Sequence, residues 1–359
     1  MQRMSNVRQE NSLLCHVNLA SGFRGGERQT QLLMEQFAER GYAQRLVARR
    51  GGQLAARCAD IPNVEIRGTS SQPLSAALAI RGADLLHAHE ARAIYACWLA
   101  ARLTAAPWLL TRRVDNPFKA SWFRDHAYRA ATRRVAVSQA ICQQIENQYP
   151  GVGVDRVADA HAGLAKDHRQ PTELLSRYAG KTLVGHIGAL DHSHKGQGTI
   201  IAAARLAATR FPALHFILVG DGRDELQFRE DAVGLNNIEF TGYVTEVDDY
   251  LSVFDVFVFP SLHEGLGSTL LDAMSFGLPI VATRVGGIPD IVEDGINGYL
   301  IEPEQAEELL AGICKIVDDP ALSSQMQSAN REKAADYSPA AMADRYERIY
   351  RSMLSNVDA

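Results

Sequence analysis

Cysteine is scarce: the five present (Cys15, Cys58, Cys97, Cys142 and Cys314) are odd in number and never spaced C-x-x-C. That excludes a disulfide framework or a thiolate zinc site, and reduced thiols imply a cytosolic setting. No run of about 18 consecutive apolar residues occurs, so no membrane-spanning helix is expected and any membrane contact is peripheral, on the inner face of the plasma membrane. The polar stretch Met1 to Asn11 leads into only a short apolar run, unlike a secretory signal. Also missing are G-x-G-x-x-G and G-x-x-x-x-G-K-[ST], the glycine patterns of dinucleotide and P-loop sites. There is neither a repeat of solenoid period nor a low-complexity segment.

What is present is an ordinary globular mix, 46% apolar and 22% charged over 359 residues, long enough for two domains. The net charge of -5 conceals a division: residues 1–180 carry +9 and residues 181–359 carry -14. A basic half is expected to face an anionic partner. The acidic half argues against nucleic acid as that partner.

Short apolar runs alternate with amphipathic stretches, the rhythm of parallel sheets covered by helices. Strands are expected at Leu13 to Leu19, Arg45 to Ala48, Val64 to Arg67, Asp84 to His87, Trp108 to Thr111 and Arg134 to Val137. A helix is expected over Glu27 to Arg40. The polar segment Ala165 to Arg177, with Pro171, reads as the linker. Strands resume at Leu183 to Ile187, His215 to Val219, Ile238 to Thr241, Val256 to Phe259, Pro279 to Ala282 and Gly298 to Ile301. A last helix, Pro339 to Leu354, shows Met342, Tyr346, Ile349, Tyr350 and Met353 at helical spacing. The fold class is therefore α/β, two doubly wound Rossmann-like domains facing a central cleft, with ligands beyond the carboxyl ends of the strands.

Four strand-end segments carry candidate chemistry. The loop Ser21 to Glu27 offers Gly25 and Gly26, where a diphosphate or sugar can approach free helix-terminal amides; a plain glycine turn has the same composition. His87 and His89 leave a buried strand on one face, His89 nearer its end. A zinc reading lacks a third ligand, and a structural histidine is the alternative. Lys195, in GALDHSHKGQG, is suited to neutralise the charge of a leaving diphosphate, or is a surface lysine. In residues 255–298 a strand ends at Pro260, Glu264 sits in a glycine-rich turn, and a helix begins near Ser268 with Asp272 one turn along. Both acids are then expected to face one cleft and bind sugar hydroxyls, beside amides at Leu266, Gly267 and Ser268 that can hold phosphate.

On these residues the chain resembles the retaining glycosyltransferases of family 4, of GT-B fold. The family's Glu, seven residues, Glu pattern stands here as Glu264 and Asp272, within Pro260-Ser261, Glu264-Gly265, Gly267, Ala273-Met274, Gly277-Leu278-Pro279 and Gly286-Gly287. Weaker matches are Gly25-Gly26-x-Arg28, His87-x-His89, Val137-Ser138, Lys195-Gly196, Val219-Gly220-Asp221-Gly222 and Phe240-x-Gly242.

The resemblance implies an N-terminal acceptor domain, residues 1–172 completed by the C-terminal helix 339–357, and a nucleotide-sugar donor domain, residues 178–336. It implies a hexose-type sugar moved from a nucleotide diphosphate sugar, UDP ahead of GDP, with no metal and no cofactor. Catalytic roles fall to His89, Lys195 and Glu264. Donor contacts fall to Gly25, Gly26, Lys195, Tyr243, Val244, Glu264, Gly265, Leu266, Gly267, Ser268 and Asp272. Three departures stand out: Asp272 replaces a Glu, Ala189 stands where many members have an Arg, and Asp290 replaces a Glu after the Gly-Gly pair.

The expected acceptor is a lipid-linked envelope saccharide such as lipopolysaccharide core. Residues 112–134 interleave Arg112, Arg113, Lys119, Arg124, Arg129, Arg133 and Arg134 with Phe118, Trp122, Phe123 and Tyr128. That composition suits an interfacial helix on an anionic membrane; a solvated face with core aromatics is the alternative. A nucleotide-sugar epimerase of the same fold and a catalytically silent nucleotide-sugar-binding subunit are the competing functions.

Overall fold

Leu14–Asn18 (β1) is buried at every position, polar His16 and Asn18 included, as expected of a central strand covered on both faces. In the computed structural model, which describes residues 12–164 and 171–355, it lies in a seven-stranded parallel sheet. The other strands are β2 (Gln44–Arg49), β3 (Val64–Thr69), β4 (Leu85–Ala88), β5 (Trp108–Arg112), β6 (Arg133–Ala136) and β7 (Asp155–Arg156), in the order β3-β2-β1-β4-β5-β6-β7. The sequence pattern did not show β7, whose two residues are too few for any periodicity.

A second parallel sheet contains β8 (Thr182–Ile187), β9 (Leu214–Val219), β10 (Ile238–Gly242), β11 (Val256–Phe259), β12 (Ile280–Thr283) and β13 (Gly298–Ile301). Its order is β10-β9-β8-β11-β12-β13. In both sheets the order reverses beside the first strand, the switch point where open α/β sheets gather ligand-binding loops. Among the described residues no helix is long and apolar enough to cross a membrane.

The described residues divide into two compact units: one runs to Ala160 and resumes at Pro339, the other is His161–Ser338. Residues 165–170 of the expected linker lie outside the described residues, and its remainder forms a short helix, Thr172–Arg177, with no buried side chain. The C-terminal helix, Pro339–Ser355, packs on the first sheet. Its Met342, Tyr346, Tyr350 and Met353 join Leu14, Phe37, Leu85, Leu109 and Val135 in one core. In the second unit Val184, Phe216, Val256, Val258 and Val281 pack against Ile200, Leu309 and Ile313.

Candidate active site

In the first unit the parallel register sets His16 of β1 opposite His87 of β4, and the period of two puts His89 on the same face. The rings of His87 and His89 lie 3.7 Å apart, those of His16 and His89 5.2 Å. His16 is thus the third histidine that the spacing did not reveal. Hydrogen bonds already engage four of the six ring nitrogens. His16 Nδ1 meets His89 Nε2 at 3.0 Å, while Tyr350 Oη and Thr111 Oγ1 meet the two nitrogens of His87 at 2.6 and 2.7 Å. Tyr346 Oη continues the chain to Thr111 at 2.8 Å. The cluster is a hydrogen-bonded network rooted in the C-terminal helix. Among the described residues it leaves two buried ring nitrogens without a hydrogen-bonded partner, His16 Nε2 and His89 Nδ1.

Burial lowers the basicity of all three rings. His16 is pushed down to about 4, and His87 and His89 fall well below 6.5, where the neighbouring histidines and Arg113 add to the effect. His89 is therefore a neutral imidazole at pH 7, a hydrogen-bonding group rather than a charge.

Arg113, just beyond β5, belongs to this site and not to a surface stripe. Its Nε donates to Asp159 at 2.9 Å and its Nη1 to the His89 carbonyl at 3.2 Å. Its Nη2 is buried with no hydrogen-bond partner among the described residues, so a guanidinium N–H remains to be used beside His89. Gly25 and Gly26 form the first turn of the helix Gly25–Glu39, which begins two residues before the expected Glu27, and neither has a positive φ.

The expected interfacial helix over 112–134 is corrected to Trp122–Ala130. Arg112 ends β5, and Arg134 is buried, with Nε donating to the Tyr128 carbonyl and Nη2 to the Ala131 carbonyl, both at 2.5 Å. Tyr128 is core, packed with Phe118 and Tyr149. Trp122 and Phe123 remain exposed, at 61% and 59%.

In the second unit, Lys195 Nζ and Glu264 Oε2 meet at 2.5 Å, although 69 residues separate them. Two backbone approaches make the pairing. Leu262 N donates to His194 O at 2.8 Å, which ties the loop after β11 to the loop after β8. Gly196 (φ 62°) and Gly286 (φ 51°) let backbone pass where a Cβ would lie 2.1 Å from the Pro260 carbonyl oxygen or 1.8 Å from that of Glu264. Lys195 Nζ also lies 5.0 Å from the Phe259 ring centroid. The ammonium is thus held between a carboxylate and an aromatic face.

Gly267 (φ 103°) caps the helix Ser268–Ser275, whose amino end lies in the same loop as Glu264. Gly265 and Leu266 are buried, and Ser268 is half-buried. Asp272 is buried, and its Oδ1 accepts a 2.7 Å bond from Ala162 N. It therefore also anchors the segment entering this unit. Tyr243 is 69% exposed beyond β10 and Val244 half-buried beside it. At the departure Ala189, the carbonyl accepts from Gln197 Nε2 at 2.7 Å. Among the described residues the cation in this loop pair is Lys195.

The family model described as "Glycosyltransferase Family 4" matches residues 23–158, and the one described as "Glycosyl transferases group 1" matches residues 181–319. The chain is 29% identical to alpha-D-kanosaminyltransferase of Streptomyces kanamyceticus, over 70% of this chain and 68% of that protein. It is 32% identical to the lipopolysaccharide core biosynthesis glycosyltransferase LpsE of Rhizobium meliloti (strain 1021), over 44% of this chain and 46% of that protein. In fold it matches HepE of Anabaena, solved with UDP and glucose, at a TM-score of 0.80 and 20% identity, covering 95% of this chain and all of that one. Two parallel Rossmann-like sheets, the Glu264 to Gly287 string at the second one's strand ends, and both family models lead to one conclusion: the chain belongs to glycosyltransferase family 4, with the GT-B fold.

Proposed function

We propose that this nucleotide-sugar-dependent glycosyltransferase moves a hexose-type sugar, from UDP ahead of GDP, with retention of anomeric configuration. Its acceptor in this reading is a lipid-linked, phosphorylated envelope saccharide such as lipopolysaccharide core. The observation that carries the reading is the Lys195–Glu264 pair beside the amino end of Ser268–Ser275. A fixed ammonium and helix amides suit a diphosphate, and a carboxylate suits sugar hydroxyls. The UDP and glucose bound to HepE and the named role of LpsE favour the same donor and acceptor classes.

The mechanism is front-face displacement. The acceptor oxygen bonds to the anomeric carbon as the bond from that carbon to the diphosphate oxygen breaks. The acceptor proton passes to that departing oxygen, giving a glycoside and a nucleoside diphosphate. Lys195 and the amides at Gly267 and Ser268 stabilise the developing negative charge. Glu264 orients the sugar, Asp272 serves the ribose, and neutral His89 hydrogen-bonds the reacting sugar. Exposed Trp122 and Phe123, flanked by Arg124 and Arg129, supply the contact with an anionic membrane.

A thermal-shift panel of UDP- and GDP-sugars tests the donor, since a ligand that binds only the folded state raises its stability with concentration. Anomeric coupling constants of the product, read by NMR, test retention. Inverted product, or stabilisation by no nucleotide sugar, would overturn the reading. A changed sugar nucleotide released without acceptor would mark an epimerase instead.

A further inference from the structure

The first unit carries a second concavity at the other end of its sheet. His89 and Arg113 follow the carboxyl ends of β4 and β5, whereas Arg133 and Asp155 are the first residues of β6 and β7. A groove of about 460 Å3 opens there, lined by Arg133, Arg156, Arg345 and Arg348, with Asp155 and Ser352. Among the described residues its lining holds four guanidiniums and one carboxylate, Asp155, which lies 3.6 Å from Arg133.

The C-terminal helix sorts its charges by flank. Asp344 and Glu347 turn to Arg40, at 2.7 and 2.5 Å, and Arg351 also pairs with Glu347. Arg345, Arg348 and Ser352, spaced three and four residues apart, lie on the flank over β6 and β7, where strand arginines already stand. Guanidiniums gathered around one hollow raise the positive potential inside it. It is what binding a compact polyanion requires, because forked guanidinium donors match phosphate oxygens two at a time.

We propose that this groove is a phosphate-binding site, distinct from the donor site and independent of the transfer reaction assigned above. Its ligand chemistry is a phosphate or diphosphate group, carried by a soluble compound or by a lipid headgroup.

The test compares the full chain with its Arg345→Gln/Arg348→Gln variant. Calorimetric titration with inorganic pyrophosphate at low salt is one arm. Co-sedimentation with phosphatidylglycerol vesicles, against phosphatidylcholine vesicles, is the other. Any pyrophosphate held near Lys195 contributes equally to both proteins, so the difference between them reports the groove. Loss of roughly tenfold or more in pyrophosphate affinity assigns a soluble phosphate, at a charged hydrogen bond or more per guanidinium removed. The same loss on phosphatidylglycerol alone assigns a headgroup. Equal binding of both probes by both proteins overturns the proposal. An Arg133→Gln/Arg156→Gln variant, which changes the strand side and leaves the helix intact, must give the same loss; if it binds like the wild type, the groove is not the site.

Discussion

His16 Nδ1 lies 3.0 Å from His89 Nε2, with both rings buried, across the pairing of β1 with β4. One nitrogen must donate and the other accept. If His89 accepts a hydrogen bond from the reacting sugar through Nδ1, its own proton must sit on Nε2 and be donated to His16 Nδ1.

Ring 15N shifts of histidine-labelled protein should show His89 as the Nε2–H tautomer. An Nδ1–H tautomer in the wild type would refute the relay, whatever the enzyme transfers.

Acid should unfold the protein through its buried histidines. His16 and His186 are held down to about 4, and His87 and His89 well below 6.5, all chiefly by burial. The unfolded chain therefore binds more protons than the folded one below pH 6.5. The stability these rings contribute is complete above 6.5 and is lost progressively as pH falls below it, down to about 4 for His16 and His186. Urea midpoints measured from pH 7.5 to 4.5 should drop, and the drop should be shallower in His16→Asn. A flat profile would contradict the neutral assignment.

Lys195→Ala should lower turnover by on the order of 100- to 1000-fold with little change in melting temperature, because it removes one preorganised donor whose side chain, 25% exposed, lies outside the buried core. Glu264→Gln should weaken donor binding and release Lys195 from its partner. Steady-state kinetics with a sugar nucleotide that stabilises the protein provides the check, and full activity in either variant would remove that residue from the site.

Gly286→Ala should cost more than an ordinary surface change. Its φ of 51° disfavours a side chain, and the new methyl would meet the Glu264 carbonyl oxygen at 1.8 Å. Strain of about 1–3 kcal/mol is expected, read as a lower melting temperature, together with lost activity as the Glu264 loop shifts. Gly25→Ala is the contrast, a regular helical position, and should leave stability unchanged within about 1 kcal/mol.

Much of the molecule is legible in the chain itself. Buried parallel strands must be continuously apolar, so runs such as Val256–Phe259 and Leu214–Val219 announce themselves, and a turn that needs positive φ must be written with glycine, as at Gly267 and Gly286. Side-chain pairing across long stretches of chain was decided only by the tertiary structure. Sheet register set His16 beside His87 and His89, and loop crossing set Lys195 on Glu264. Nothing in the spacing of Tyr346 and Tyr350 distinguishes a core face from hydroxyls that satisfy Thr111 and His87. The basic stretch 112–134 is the clearest case. Composition reads its arginines alike, whereas burial sends Arg113 to the His89 carbonyl, Arg134 to backbone carbonyls, and Arg133 to a groove completed by a helix more than 200 residues away.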